Sequence, residues 1–245
     1  RSKTIQLANP LSDEQPLMRT TLLPGLIAAS LRNVSRGFSD VPLFEIASVS
    51  FARETKAKKS SEVPRPSVSQ RPSDAQIQEL EALIPDQPLH LGAVLSGSLT
   101  SSGWQGSGAS VSWADAVELV TGLAHELGVA VTASNASVAP WHPGRCALIK
   151  SGDVVLGLAG EIAPRVVETL GLPPRTVALE INLDALISVA NTVPSAPSVW
   201  TYPVAKEDIA LIVSREVAAQ EVASVIRDAA GELLEDVRLF DIYEG

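Results

Sequence analysis

The segment from Leu22 to Val49 constrains this chain more than any other. Leu22, Leu23, Leu26, Ile27, Leu31 and Val34 recur at the spacing of one helix face. Such a broad apolar stripe is stable only when buried. Pro24 suits the first helical turn, where its missing N–H is no loss. Gly37 ends the helix, and Leu43 to Val49 follow as an apolar strand expected to be buried. The direct consequence is a core helix of a globular domain. Ala28, Ala29 and Ser30 are small, and would let a second helix approach closely.

The chain can supply such a core. It has 245 residues, 45% of them hydrophobic and only 19% charged, enough for one large domain or two smaller ones. No apolar run approaches the roughly 18 residues of a membrane span. Cys146 is the only cysteine, so an internal disulfide is excluded, which fits a reducing compartment. Net charge is −9. Bulk electrostatics therefore gives no help toward nucleic acid, and any RNA contact needs a local basic patch or a basic partner. A start at Arg1, with neither Met nor a signal-like segment, reads as part of a longer chain.

Beyond the first strand, Arg53 to Arg71 is basic and rich in Pro and Ser, and reads as an exposed, solvated connection. A helix over Ser73 to Ile84 follows. Ser73 and Gln76 have capping-box spacing, Ile77, Leu80, Leu83 and Ile84 form its buried side, and Pro85 stops it. Leu89 to Leu99 is a buried strand. His90 within it has no second His or carboxylate close in sequence, and reads as a satisfied core or edge histidine. Thr100 to Ser110 is a Gly/Ser loop. Gly103, Gly106 and Gly108 lack the following Lys that a phosphate cradle needs. Ser112 caps the next helix, whose core face is Trp113, Ala116, Val117, Val120, Ala124 and Leu127. His125 falls beside that face as a structural residue, and Gly128 ends the helix.

Val129 to Val138 is a strand and Trp141 to Arg145 a tight turn. Cys146–Lys150 and Val154–Ile162 form a hairpin across Ser151-Gly152-Asp153. Pro164 opens a helix ending at Gly171. Val177 to Leu183 alternates as a strand, and Asp184 starts a short helix over Ala185 to Val189. Asn191 to Ser198 is a linker by composition. A new unit begins near Val199. A strand carries Ile209, Leu211 and Val213, and a helix carries Ala218, Val222, Val225, Ile226 and Ala229 before Gly231. Val237 to Tyr243 is a second strand.

Three stretches carry a resemblance to a known family. The first is NPLS with LMRTTLLPGL, RNVSRG and LFEIA, between Asn9 and Ala47. The second is the His142-Pro143-Gly144-Arg145 turn. The third is YPVAKEDIAL with LFDIYEG, from Tyr202 to Gly245. Through them the chain resembles the C-terminal part of the beta subunit of bacterial phenylalanyl-tRNA synthetase. The resemblance covers essentially the whole chain and is weakest across Thr55 to Ser112. It implies an α+β fold. Residues 1–190 would be a class II aminoacyl-tRNA synthetase-like antiparallel sheet with helices, and residues 191–198 a linker. Residues 199–245 would be the first half of a ferredoxin-like anticodon-binding domain, a truncated βαβ unit. In such a βαββαβ sheet the first two strands are not neighbours, so their backbone groups would lack partners.

The resemblance also implies a role. The chain would be a non-catalytic part of phenylalanine–tRNA ligase in the cytoplasm. It would scaffold the alpha subunit in a heterotetramer of two alpha and two beta chains, and contribute to binding tRNA(Phe). ATP and Mg2+ would belong to the holoenzyme, with no cofactor or metal in this chain. Leu22, Leu23, Leu26, Ala29 and Ser30 would lie at the alpha-subunit interface, with Leu22, Leu26 and Ala29 more open than a core position such as Ile46. Lys206 and Arg215 are the tRNA-binding candidates. Glu207 stands where many relatives have a basic residue, and the unit from Val199 holds four basic against ten acidic residues. His142, Gly144 and Arg145 read as a structural turn.

No catalytic residues are expected. A class II site needs an Arg and a Glu on one face of a strand-loop, and a glycine-rich strand ending in Arg. Arg53 and Glu54 are adjacent, so in a strand they point to opposite faces. Gly106-Ser107-Gly108 runs into Ala109 and Ser110 instead of Arg. A free-standing synthetase-like regulatory or protein-interaction module is the alternative function.

Overall fold

The computed structural model describes residues 4–53, 67, 69–191, 193, 201–215 and 217–243. The expected basic connection from Arg53 to Arg71 and the linker from Asn191 to Ser198 lie largely outside them. Helix α1 is Leu23–Ser35, with Pro24 in its first turn and Leu23, Leu26 and Ser30 buried. Strand β1, Val41–Ser48, follows. Helix α2 is Asp74–Glu81, closed by the reciprocal Ser73–Gln76 capping box. None of its residues is buried, so the side carrying Ile77 and Leu80 reaches only partial cover. Strand β2 is Leu89–Ser96. The expected loop after it holds a small hairpin of β3, Ser98–Thr100, and β4, Ala109–Ser110.

Helix α3 is Trp113–Glu126. The Asp115 carboxylate accepts from both the backbone N–H and the hydroxyl of Ser112, at 2.6 and 2.7 Å. Ala116, Val120 and Ala124 form the buried face, whereas Trp113 is 41% exposed at the helix start, against expectation. His125 is exposed. Strands β5, Thr132–Asn135, β6, Trp141–Ser151, and β7, Val154–Ile162, follow in one antiparallel run. Helix α4 is Pro164–Leu170, strand β8 is Val177–Asn182 and helix α5 is Leu183–Ser188. Asn182, rather than Asp184, caps α5, accepting from Ala185 N at 2.9 Å.

The main sheet has six antiparallel strands in the order β1-β2-β8-β7-β6-β5. Helices cover both faces. One core joins α3 and α5 to Ala93, Ile149, Leu156, Leu179 and Ile181. The other joins α1 and α4 to Val94, Trp141, Cys146, Ile162 and Ala178. Gly92 is where α1 meets β2. A Cβ there would sit 3.0 Å from Leu22 Cβ and from Leu26 Cδ1, so the bare backbone sets the depth of the helix.

Two expectations about strands change. The strand after α1 is an edge, not a buried strand. Its burial alternates, and Phe44 and Ile46 are 74% and 53% exposed. They share a face with Ala93 and Leu91, their ladder partners, at the margin of the core under α3 and α5. The Trp141–Arg145 stretch is not a tight turn. It lies inside β6, where the register jumps from Trp141↔Ile162 to Cys146↔Gly160. That is a bulge in which residues 142–145 swing out of the ladder.

From residue 201 on, only helix α6, Ala219–Ala230, and the 3-10 turn after it are regular among the described residues. The expected strands around Ile209–Val213 and Val237–Tyr243 form no ladder there. This is the state expected of two segments that are not sheet neighbours. Leu211 and Val213 instead border an apolar groove with Val222, Val225 and Ile226 of α6.

Candidate functional site

A partly buried polar cluster sits where α1 begins. Glu180 lies on β8, its side chain 12% exposed, on the sheet face that carries α1. One carboxylate oxygen faces His90 Nδ1 at 2.8 Å. The other accepts from Leu22 N at 3.1 Å and from the Thr21 hydroxyl. A negative charge at a helix N-terminus is favoured by the exposed N–H groups and by the helix dipole. Glu180 therefore fastens α1 to the middle of the sheet, and His90 is the satisfied histidine the sequence suggested. Its partner lies 90 residues away, so no local spacing could reveal it.

A second charged pair closes the β6 bulge. The Arg145 guanidinium donates to both oxygens of Glu161, at 3.2 and 3.0 Å, and Glu161 is 3% exposed. A carboxylate buried that deeply needs such a partner. Within the bulge His142 Nδ1 accepts from Gly144 N at 3.0 Å. Thus His142, Gly144 and Arg145 come together through the backbone and the Glu161 pair. Cys146 beside them is buried, and burial pushes its thiol up to about 11 from the ordinary 9.0. It is no activated nucleophile.

The interface candidates fare differently. Leu22, Leu23, Leu26 and Ser30 are 1%, 7%, 5% and 0% exposed, packed in this chain's own core. The expected order of exposure is reversed, since Ile46 is open while Leu22 and Leu26 are closed. The cause is Gly92, which lets α1 settle directly on β2. Ala29 is half-buried. Lys206 and Arg215 are both exposed, in the unit that carries α6.

Arg19, Arg53 and Arg145 are paired with Glu45, Asp86 and Glu161, at 2.6, 2.6 and 3.0 Å. Among the described residues no three His, Cys, Asp or Glu side chains converge as metal ligands would. What the cluster does is mechanical: it fixes helix α1 and the β6 bulge on one sheet.

Residues 1–183 match the family described as "Phenylalanyl tRNA synthetase beta chain CLM domain". The chain belongs to the phenylalanyl-tRNA synthetase beta chain family. Residues 201–245 match the family described as "Ferredoxin-fold anticodon binding domain". The whole chain aligns at 47% identity with 30% of the phenylalanine–tRNA ligase beta subunit of Thermobifida fusca. It aligns at 45% identity with 29% of that of Streptomyces avermitilis. The chain thus spans about a third or less of the beta subunits it matches. A pyrrolysyl tRNA synthetase from Desulfitobacterium hafniense resembles 78% of this chain over 58% of its own, at 13% identity and a TM-score of 0.46. Likeness at that level decides nothing further about this beta-chain segment.

Proposed function

We propose that this chain is a non-catalytic segment of the beta subunit of a cytoplasmic phenylalanine–tRNA ligase. It scaffolds the alpha subunit in a heterotetramer of two alpha and two beta chains, and contributes to binding tRNA(Phe). The observation that carries this reading is the match along the whole chain to beta subunits at 47% identity. Residues 1–190 act as the scaffold, and 199–245, beyond the linker at 191–198, belong to the anticodon-binding part. ATP and Mg2+ act on the alpha subunit. Arg19, Arg53 and Arg145 in this chain are engaged with carboxylates. Lys206 and Arg215 meet tRNA, while the Asp and Glu around them limit that contact.

The surface offered to the alpha subunit is the open side of β1, with Phe44 and Ile46, together with the outward side of α1 near Ala29. An edge strand with exposed apolar side chains is a pairing surface unless something covers it. Co-expression with the alpha subunit tests the reading. The two chains are expected to co-purify, and the chain alone is expected to give only background ATP–pyrophosphate exchange. Failure to co-purify, or exchange by the chain alone, would overturn it.

A further inference from the structure

Residues 96–114 contain no charged side chain. They build the β3–β4 hairpin, and it is braced at three levels. At the base, the Asp40 carboxylate accepts from Ser98 N at 2.7 Å, and Val111 N donates to Gly97 O at 3.0 Å. Midway, Gly108 has φ +71°, and a Cβ there would lie 2.6 Å from the Thr100 carbonyl oxygen and 2.7 Å from Ser102 N. The returning strand thus lies directly on the outgoing one. At the tip, Gly103 and Gly106 exchange two backbone hydrogen bonds of 2.9 and 3.1 Å. They close a two-residue turn of Trp104 and Gln105. Trp104 is 94% exposed, and Leu99 on β3 is 53% exposed.

One exposed apolar side chain is ordinary on a protein surface. Here the exposure is enforced by the backbone. A partner that takes up Trp104 has little loop entropy to overcome, because the hairpin is already braced at base, middle and tip. Tryptophan is also among the residue types most concentrated at interface hot spots. Charge decides the class of partner. A base-stacking platform draws most of its affinity from Lys and Arg beside it. This hairpin has none, on a chain of net charge −9. The fitting partner is a protein with an apolar socket and an acceptor for the indole N–H. Placement narrows it further. Ser96 pairs with Val41, the first residue of β1, and Asp40 just before β1 clamps the hairpin base. The hairpin and the open edge with Phe44 therefore leave the same corner of the sheet.

We propose that Trp104 is a docking knob that inserts into an apolar socket of the alpha subunit. The identity of that partner rests on the beta-subunit reading above. The test compares wild type, Trp104→Ala and Trp104→Phe. Association with purified alpha subunit is measured by biolayer interferometry, tRNA(Phe) binding by filter retention, and melting of each unassembled chain by calorimetry. Trp104→Ala is expected to weaken subunit association by roughly tenfold or more, the size of an interface hot spot. Trp104→Phe is expected to weaken it less, and both variants to melt like wild type. If wild type associates and Trp104→Ala associates equally well, the docking knob is refuted while the subunit reading stands. A lowered melting temperature for Trp104→Ala would show that its own chain covers the indole, and would refute the knob too. Loss of tRNA binding with intact association would assign Trp104 to RNA and overturn the protein socket. No association by wild type would remove the subunit reading itself, and the knob with it.

Discussion

Glu180 shows how one side chain decides the placement of a helix. It gathers His90, Thr21 and Leu22 N, three contributions from two other elements, at the start of α1. Hydrogen bonds to a charged group contribute about 1.5–3 kcal/mol each, and the donors left buried without an acceptor add a further cost. Glu180→Gln keeps the shape and removes the charge. It should lower unfolding free energy by roughly 2–3 kcal/mol, read from urea midpoints at neutral pH. An unchanged midpoint would mean α1 is held by apolar packing alone. Cys146 allows a pH prediction with a definite sign. Its folded-state value, about 11, lies above the ordinary 9.0 because burial disfavours the thiolate. The contribution is fully present below pH 9 and is lost as pH rises through about 11. The loss is at most about 3 kcal/mol. Stability should therefore fall between pH 9 and 11, with a smaller fall in Cys146→Ala, and Ellman's reagent should find the thiol unreactive at pH 8 until denaturant is added. Neither role was legible in the sequence. Glu180 and His90 are joined only by the pairing of β2 with β8, and depth of burial at Cys146 is a property of the packed sheet.

Local structure was legible wherever the signal was local. Pro24 and Gly37 bracket α1, Ser73–Gln76 opens α2, and Pro164 and Gly171 bracket α4. Exposure was not legible, because it depends on which strand lies at the edge and how far the covering helices reach. The apolar pattern of Leu43–Val49 is the same for a central strand and for an edge strand that meets a partner. The structure therefore reverses the expected behaviour of two positions. Leu26, 5% exposed against Gly92, belongs to folding, so Leu26→Asp should leave the chain unfolded by circular dichroism. Phe44, 74% exposed, should behave otherwise. Phe44→Ser should shift the melting midpoint little, since it removes little buried area, yet weaken alpha-subunit binding on the proposed reading. A folded Leu26→Asp variant that fails to bind would restore α1 as the interface.

At the scale of the molecule, the sheet order β1-β2-β8-β7-β6-β5 brings β8 into the middle of the sheet, beside a hairpin-like pair from the other end of the domain. No pattern in the sequence encodes that neighbour relation, although antiparallel pairing of sequential strands accounts for most of the rest. The proposed division of the chain rests on the change of composition at Asn191 to Ser198 and on the apolar periodicity that restarts beyond it. Among the described residues, the two cores draw on positions between Leu22 and Ala190. In the unit beyond, Ile209, Leu211, Leu239 and Ile242 are between 54% and 69% exposed. Among the described residues that unit contributes none to either core, so removing residues 199–245 should leave the unfolding midpoint of the sheet domain unchanged. Amides of Ile209, Leu211, Leu239 and Ile242 have no ladder to protect them and should exchange close to the unprotected rate, while Val94, Leu179 and Ile181 exchange only through global opening. Both measurements bear on the proposed division at the linker. A midpoint that falls on truncation, or slow exchange at Leu211, would mean that the segment draws stability from the sheet domain or from a strand supplied by another molecule. Repeating the exchange across a hundredfold range of protein concentration separates those two cases, because only protection by another molecule depends on concentration.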